Sequence, residues 1–505
     1  MNSVLRYIEK TSIELPDNIA IDDGDVTVSY REFREKYTSV ASAIMKLYGG
    51  MNKPVMVYLP KSAASVISFM GILASGNMYV PIDFKVPLKR FLMMIEKIDP
   101  VIIITDNEGA ENLKDCTVNS QICLYDELVG EKADYSAVER RIDKVIDTDP
   151  AYIMHTSGST GVPKGVVIAH RGIENYANWL IRDFKITEKS VLGLQSGFHF
   201  DNSVFDMYTC FFTGATLVII PEVLFMYPQQ LLRYIKEKHV SCIFWVPTVM
   251  INVANSGALS EVDLPELQTV TFAGEVMPNK QLNIWRRALP GRVFANLYGP
   301  TEITVDCTFY VVDREFDDSD KLPIGIAVPN TKILILNEKN ELAKVGEEGE
   351  LCVAGCCLAL GYYNDKELTD KVFVQNPLNT KYHELIYRTG DIAYTAPDGL
   401  IMYVGRRDNQ FKLRGNRIEL GDVESGAMCI GGVEKACALY DSEKEEIILV
   451  VESKENLILR KFNMELAKYV PKYMLPQRLV VLEEMPLTPN RKTDRKLLFN
   501  EYINR

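Results

Sequence analysis

The chain has 505 residues, 47% hydrophobic and 25% charged, with 31 Gly and 23 Pro. That composition excludes a disordered, collagen-like or disulfide-scaffold chain, and the length is too great for one compact core, so two or more domains are expected. The 68 Asp and Glu against 56 Lys and Arg leave a formal charge of -12, which argues against the broad basic face of a nucleic-acid binder.

The opening stretch MNSVLRYIEK already carries Arg6, Glu9 and Lys10, so no secretory leader is expected. Ser62 to Ile82 is uncharged, but its Ser, Gly, Asn and Pro content predicts a buried helix over Ala64–Leu73 running into a strand over Met78–Ile82, rather than a membrane span. Val101–Thr105, Thr216–Ile220 and Ser241–Trp245 read as strands, alternating with helical patterns such as Gln229–Lys238. That alternation predicts βαβ units and parallel sheets. From about Lys332 the rhythm changes to short strands with tight turns, KILILN, GELCVAG and GLIMYVG, which predicts a β-rich subdomain over about 325–407. Beyond Asp408, strands at Ile447–Val451 and Leu479–Leu482 flank a helix over Leu459–Tyr469. A separate α+β domain is expected there, with the boundary at Arg407/Asp408. The 10 Cys are scattered without a CxxC pair and the 5 His are isolated. No Cys/His metal site is expected, and the thiols read as reduced cysteines of a cytoplasmic protein.

The strongest local signal is Thr156–Gly165, TSGSTGVPKG, after the apolar segment Ala151–Met154. Thr156, Ser157, Gly158, Ser159, Thr160 and Gly161 let backbone N–H groups and hydroxyls turn toward a phosphate, and Lys164 adds a positive charge. It is not the GxxxxGK[ST] loop, because Lys164 follows Pro163 and precedes Gly165. A Gly/Ser/Thr loop alone is more often a plain surface turn; this ten-residue arrangement is far more specific.

The loop resembles the signature of the adenylate-forming superfamily, in particular the amino-acid adenylation domains of nonribosomal peptide synthesis. The resemblance continues in order through VSYREF (Val28–Phe33), GILASGNMYVPID (Gly71–Asp83), FDNSVFD (Phe200–Asp206), NLYGPTE (Asn296–Glu302), GELCVAG (Gly349–Gly355) and YRTGD (Tyr387–Asp391). GRRDNQFKLRGNRIELGDVE (Gly405–Glu424), YVPKYMLP (Tyr469–Pro476) and PLTPNRKTDR (Pro486–Arg495) complete the series. It implies an α/β fold: a large N-terminal domain of stacked α/β sheets over 1–407, and a small mobile α+β lid over 408–505 that turns about Asp408. It also implies joining of a carboxylate to the α-phosphate of ATP, with Mg²⁺, and release of pyrophosphate.

Such a reaction depends on positioning and on cations or N–H donors aimed at phosphate. Glu302 suits Mg²⁺, which prefers one or two carboxylates plus phosphate oxygens, with Thr301 as a phosphate-side hydroxyl. Within NLYGPTE, with Leu297, Gly299 and Pro300, Tyr298 offers an aromatic face for adenine and Asn296 an amide for its edge. The resemblance places the backbone of Gly274, Glu275 and Val276 beside adenine, Asp391 on the ribose hydroxyls, and Tyr403 and Arg406 on the ribose and phosphate side. Lys492 resembles the late catalytic lysine that bridges carboxylate and α-phosphate, although Arg491 stands where Gly is usual. Leu360 likewise stands where Arg is common.

Asp201 matches the aspartate that pairs with a substrate ammonium, which favours an α-amino acid over an aryl or fatty acid. The remaining pocket positions carry over to Asn202, Phe205, Phe244, Thr271, Ala273, Leu297, Val305 and Asp306. Two Phe and a Leu leave limited room and Asp306 offers an acceptor, so a small polar side chain such as serine, or a short amine, is expected. D-alanine–carrier protein ligases are similar in organisation but often have Cys where Ala273 stands. The leading expectation is an ATP-dependent amino acid ligase; an acyl- or aryl-CoA ligase, a D-alanine–carrier protein ligase and a catalytically silent scaffold are the alternatives. Little sequence follows Arg495, so the acceptor is expected in trans: a carrier protein with a phosphopantetheine arm, met by Arg491, Arg495, Lys496 and Arg505. No nucleic-acid or membrane partner is expected.

Overall fold

The computed structural model describes residues 3–24, 26–156, 163–318, 320–407, 410–413, 416–486 and 493–503. By contact the chain divides into two units. One holds 1–84, 99–154 and 165–407; the other holds 408–505 together with 85–98 and 155–164.

The first unit is built on two large sheets. In one, the described strands run in the order Ile326–Ala327, Thr308–Val311, Val293–Tyr298, Thr269–Phe272, Cys242–Trp245, Val191–Leu194, Thr216–Ile219, Ile19–Asp22, Thr27–Ser29. Its central pairs, from Val293–Tyr298 to Ile19–Asp22, are parallel, whereas Thr308–Val311 with Ile326–Ala327 at one end and Thr27–Ser29 at the other pair antiparallel. The other sheet runs Gly361–Tyr362, Lys164–Ala169, Pro150–Thr156, Met78–Pro81, Pro54–Tyr58, Ile102–Thr105, Gln121–Leu124. The central strands are apolar on both faces because helices cover both, as βαβ crossovers require. Ala63–Ala74 shows the same logic: it is apolar all round, Ala64 alone is not fully buried, and it packs on Tyr30–Leu47. Tyr30–Leu47 itself starts on a capping box, with Ser29 accepting from the Glu32 N–H and Glu32 accepting from the Ser29 N–H. A third, five-stranded antiparallel sheet holds Thr331–Leu336, Gly349–Gly355, Leu385–Thr395, Phe373–Gln375 and Ile401–Arg406.

The second unit contains the hairpin Gln410–Leu413/Asn416–Glu419 and a three-stranded sheet of Lys435–Asp441, Glu446–Glu452 and Arg478–Leu482. Its core is Val423, Ala427, Leu449, Val451, Phe462 and Leu466, among others. Here the helix begins at Leu459 but ends at Leu466, short of the expected Tyr469. Ala467 leaves the helix as its C-cap, and Tyr469 follows in the turn leading to Pro471. The helix Leu88–Ile98 groups with this unit, and within it Arg90 forms a buried ion pair with Asp422 at 3.0 Å, their side chains 7% and 0% exposed. All ten cysteines carry free thiols. Among the described residues no helix is long and apolar enough to cross a membrane.

Candidate active site

The parallel strands of the nine-stranded sheet end together, and in such sheets the carboxyl ends are where ligands bind. Strand register sets Phe272 beside Asn296 and Phe244 beside Thr271. Asn296 is buried and spends one amide N–H on the Pro323 carbonyl at 2.8 Å, leaving its oxygen and second N–H for an edge. After Phe272 the chain turns through Ala273 and Gly274, whose φ is +99°. Glu275 fixes this loop by accepting from the Thr248 N–H (3.0 Å) and hydroxyl (2.7 Å), while Val276 is exposed.

The hydroxyl of Tyr298 donates to the Asp391 carboxylate. Arg406 stands directly opposite Asp391 in the antiparallel pair and donates to Oδ1 at 2.9 Å. Asp391 is 5% exposed, and Tyr403 lies tilted against Tyr298 with ring centroids 6.0 Å apart. Burial first, then Asp391, pushes the Tyr298 phenol well above its usual range, so it stays a donor. The four residues expected on adenine and ribose thus form one connected cluster. The bonds from Tyr298 and Arg406 orient the Asp391 carboxylate.

Beyond Tyr298 the chain passes Gly299 and Pro300 into a single turn, Thr301–Ile303. Glu302 is fully buried; its Oε1 accepts from the Tyr362 hydroxyl at 2.8 Å and its carbonyl from the Ala359 N–H at 2.9 Å. Thr301 is half-buried. Thr304 and Val305 follow with φ of +60° and +71°, a left-handed conformation that strains any β-branched residue. No group of three or more His, Cys, Asp or Glu among the described residues could cage a metal. One buried carboxylate does fit Mg²⁺, which keeps waters and takes most of its ligands from phosphate oxygens.

On the opposite side, Asp201 opens the helix Asn202–Thr213 without making a capping bond to it. Asn202 lies on its first turn and Phe205 on the next, the Phe205 ring stacked on Phe244 at 4.7 Å. Thr271, Ala273, Leu297 and Val305 are buried, and the Thr271 hydroxyl donates to the Ile243 carbonyl at 3.0 Å, so it serves the strand rather than a ligand. Asp306 is 2% exposed and accepts from the Tyr176 hydroxyl at 2.6 Å. Two residues here escaped the sequence reading. Tyr176 belongs to no quoted motif. Asp206 closes FDNSVFD and is fully buried, and neither carboxylate oxygen has a hydrogen-bond partner among the described residues. Burial holds that carboxyl well above the usual range, and Lys61 pulls it back in part.

In the second unit Lys164 pairs with Glu419 at 2.7 Å, both side chains about nine-tenths buried. Its charge is therefore already compensated, where the sequence expected it aimed at phosphate. The Thr156 hydroxyl is buried without a partner among the described residues. Ser157, Gly158, Ser159, Thr160, Gly161, Asp408, Arg491, Lys492 and Arg505 lie outside the described residues, as does the side chain of Lys496.

A sheet-end cluster of Tyr298, Asp391, Tyr403 and Arg406 with the buried carboxylate of Glu302 fits an AMP-forming ligase. The chain belongs to the AMP-binding enzyme family, whose model matches residues 8–363. It is 32% identical over 508 residues to D-alanine--D-alanyl carrier protein ligase of Bacillus cytotoxicus, covering 99% of each chain. It is 31% identical over 499 residues to tyrocidine synthase 1 of Brevibacillus parabrevis, covering 98% of this chain but only 45% of that protein. Among solved structures, an artificially fused adenylation–PCP di-domain nonribosomal peptide synthetase, NpsA-ThdA from Klebsiella oxytoca, shares the fold: TM-score 0.82, 22% identity, with 95% of this chain and 93% of that one covered.

Proposed function

We propose that this ligase activates a small, polar α-amino acid as its adenylate and passes the aminoacyl group to the phosphopantetheine thiol of a separate carrier protein. The observation that carries the reading is Asp201, a carboxylate at the head of Asn202–Thr213 beside the stacked Phe205 and Phe244. An α-ammonium gives such a group its charge partner. The end-to-end match to a carrier protein ligase supports the acceptor.

In the first step a substrate carboxylate oxygen bonds to the α-phosphorus of ATP as the bond to pyrophosphate breaks. Tyr298, Asp391, Tyr403 and Arg406 orient the nucleoside, and Asn296 with the Gly274–Val276 backbone borders the base. Glu302 would hold Mg²⁺, which when bound offsets phosphate charge, and Thr301 adds a hydroxyl. Lys492 supplies the cation on the bridging oxygens. In the second step the thiol adds to the acyl carbon and AMP leaves, with Asp408 as the hinge between the two states. Basic residues near the C-terminus, Arg491, Arg495, Lys496 and Arg505, meet the carrier. The reaction runs in the cytoplasm, where ATP and carrier are available.

The test is ATP–pyrophosphate exchange with a panel of L- and D-amino acids, followed by transfer to a phosphopantetheinylated carrier. Transfer to free coenzyme A and to no carrier would replace this reading with an acyl-CoA ligase. D-alanine is the second reading, favoured by the same end-to-end match.

A further inference from the structure

We propose that Tyr176 is a positioning residue of the acyl-substrate pocket: its hydroxyl holds Asp306, which the pocket already supplies as acceptor, so that the site selects an α-amino acid whose short side chain ends in a hydrogen-bond donor, hydroxyl or ammonium. The inference rests on the proposed function, because it takes Asp201 as the partner of the α-ammonium.

Tyr176 and Asp306 are each 2% exposed, and the phenol donates to Asp306 Oδ2 at 2.6 Å. Burial first, then Asp306, and beyond it Asp201 and Asp206, push the phenol well above its usual range. Tyr176 therefore stays protonated and gives its one O–H to Asp306. The ring meets Phe205 edge-on, with centroids 6.5 Å apart, and Phe205 in turn stacks on Phe244. These rings give the Tyr176–Asp306 pair apolar neighbours on that side.

The turn that carries Asp306 is held from the same helix, His170–Asp183, at two points one helical turn apart. At Gly172 a Cβ would stand 2.5 Å from Thr304 Oγ1, so the helix backbone lies against the turn. Four residues on, Tyr176 binds Asp306. Thr304 Oγ1 also donates to the Cys357 carbonyl at 2.7 Å. These contacts keep the left-handed Thr304–Val305 segment in place and give the Asp306 carboxylate one orientation.

A buried acceptor so fixed discriminates strongly. A side chain with a donor exchanges its water for a charge-assisted bond. One without a donor removes solvent from the carboxylate and returns nothing, which is how sites built for a hydroxyl or amine reject the isostere lacking it. The two phenylalanines limit length, so the donor must lie close to Cβ. Tyr176 is a positioning residue: it acts through Asp306.

The test is pyrophosphate exchange on the full chain with matched substrates: L-serine against L-2-aminobutyrate, L-threonine against L-valine, and L-2,3-diaminopropionate against L-2-aminobutyrate, with the D-forms alongside. In the wild type, kcat/KM should favour the donor member of at least one pair by about 100-fold or more. Tyr176→Phe should cut that ratio at least about tenfold, whereas a purely structural defect would lower both members alike. Asp306→Asn, nearly isosteric, should erase preference for the ammonium while keeping part of any preference for the hydroxyl, which separates the two donors. Tyr176→Phe placed on Asp306→Ala should leave the ratio where Asp306→Ala put it. The inference is overturned if alanine or 2-aminobutyrate matches or exceeds every donor substrate, or if the ratio survives Tyr176→Phe in a folded protein. A chain that activates no α-amino acid at all refutes the proposed function, and this inference with it.

Discussion

Gly299 sits where the nucleotide cluster meets the pocket, and replacing it with Ala tests that arrangement directly. A Cβ there would lie 2.3 Å from the Val305 carbonyl oxygen and 2.5 Å from the Asp306 Cα. Both obstacles are backbone, so no rotamer change relieves them; the Thr304–Asp306 segment would have to retreat by about 1 Å to reach ordinary contact distance. That segment already holds two left-handed residues, and Asp306 is tethered to Tyr176. The retreat therefore displaces the pocket carboxylate, Tyr298, or both. A misplacement of about 1 Å costs on the order of 100-fold in rate. The expected result for Gly299→Ala is a fall of about that size in kcat/KM for pyrophosphate exchange, with the melting temperature lowered by only a few degrees. Gly49→Ala is the control, since a Cβ there meets nothing within 4 Å and the backbone is not left-handed. A folded Gly299→Ala enzyme with wild-type kcat/KM would refute the close approach on which the site description depends.

Asp391→Asn keeps the shape but removes the anion that Tyr298 and Arg406 orient; the KM for ATP should rise by about 10- to 100-fold while that for the amino acid changes little. A shift confined to the amino-acid KM would place Asp391 on the wrong substrate. Asp422→Ala strands Arg90, its partner in a buried pair, and should lower unfolding free energy by about 3–5 kcal/mol in denaturant melts; replacing both with apolar residues should recover most of it. Burial pushes His170 down to about 3 from an ordinary 6.5, so the unfolded chain binds the extra proton between those values. Stability should therefore fall as pH drops through that window, at up to about 1.4 kcal/mol per pH unit for this one group. A His170→Leu variant with the same acid slope as wild type would contradict that assignment.

How much of this was legible beforehand follows from what each feature depends on. Strands such as Cys242–Trp245 and Thr216–Ile219, and the helix Ala63–Ala74, depend on local apolar runs and their punctuation, and sequence reading placed them within a residue or two. The cluster of Tyr298, Asp391 and Arg406 was legible through motifs, because each residue stands in a stretch that resembles a family motif: NLYGPTE, YRTGD and the stretch from Gly405. What no local pattern carries is the pairing of distant groups. Arg90 meets Asp422 across 332 positions of sequence, and the helix Leu88–Ile98 that carries Arg90 belongs to the second unit. Lys164 was read as a phosphate cation from its loop alone; its partner Glu419 lies 255 positions away.

The same distinction explains why Tyr176 was missed and why it matters. A tyrosine in HRGIENYANW carries no signal of its own, since a buried aromatic on an amphipathic helix is ordinarily core. Only the fold reveals that its hydroxyl ends on Asp306, 130 positions on, across a turn whose left-handed residues no propensity would predict. Motif residues state which reaction is run, because nucleotide and phosphate are common to every substrate. The choice among amino acids must instead lie where side chains differ, in the pocket and in whatever holds its polar groups still. For this chain that support comes from outside the motifs: Gly172 admits the helix to the turn, and Tyr176 then holds the Asp306 carboxylate. A pocket inventory that stopped at Asp306 would name the acceptor and leave out the residue that aims it.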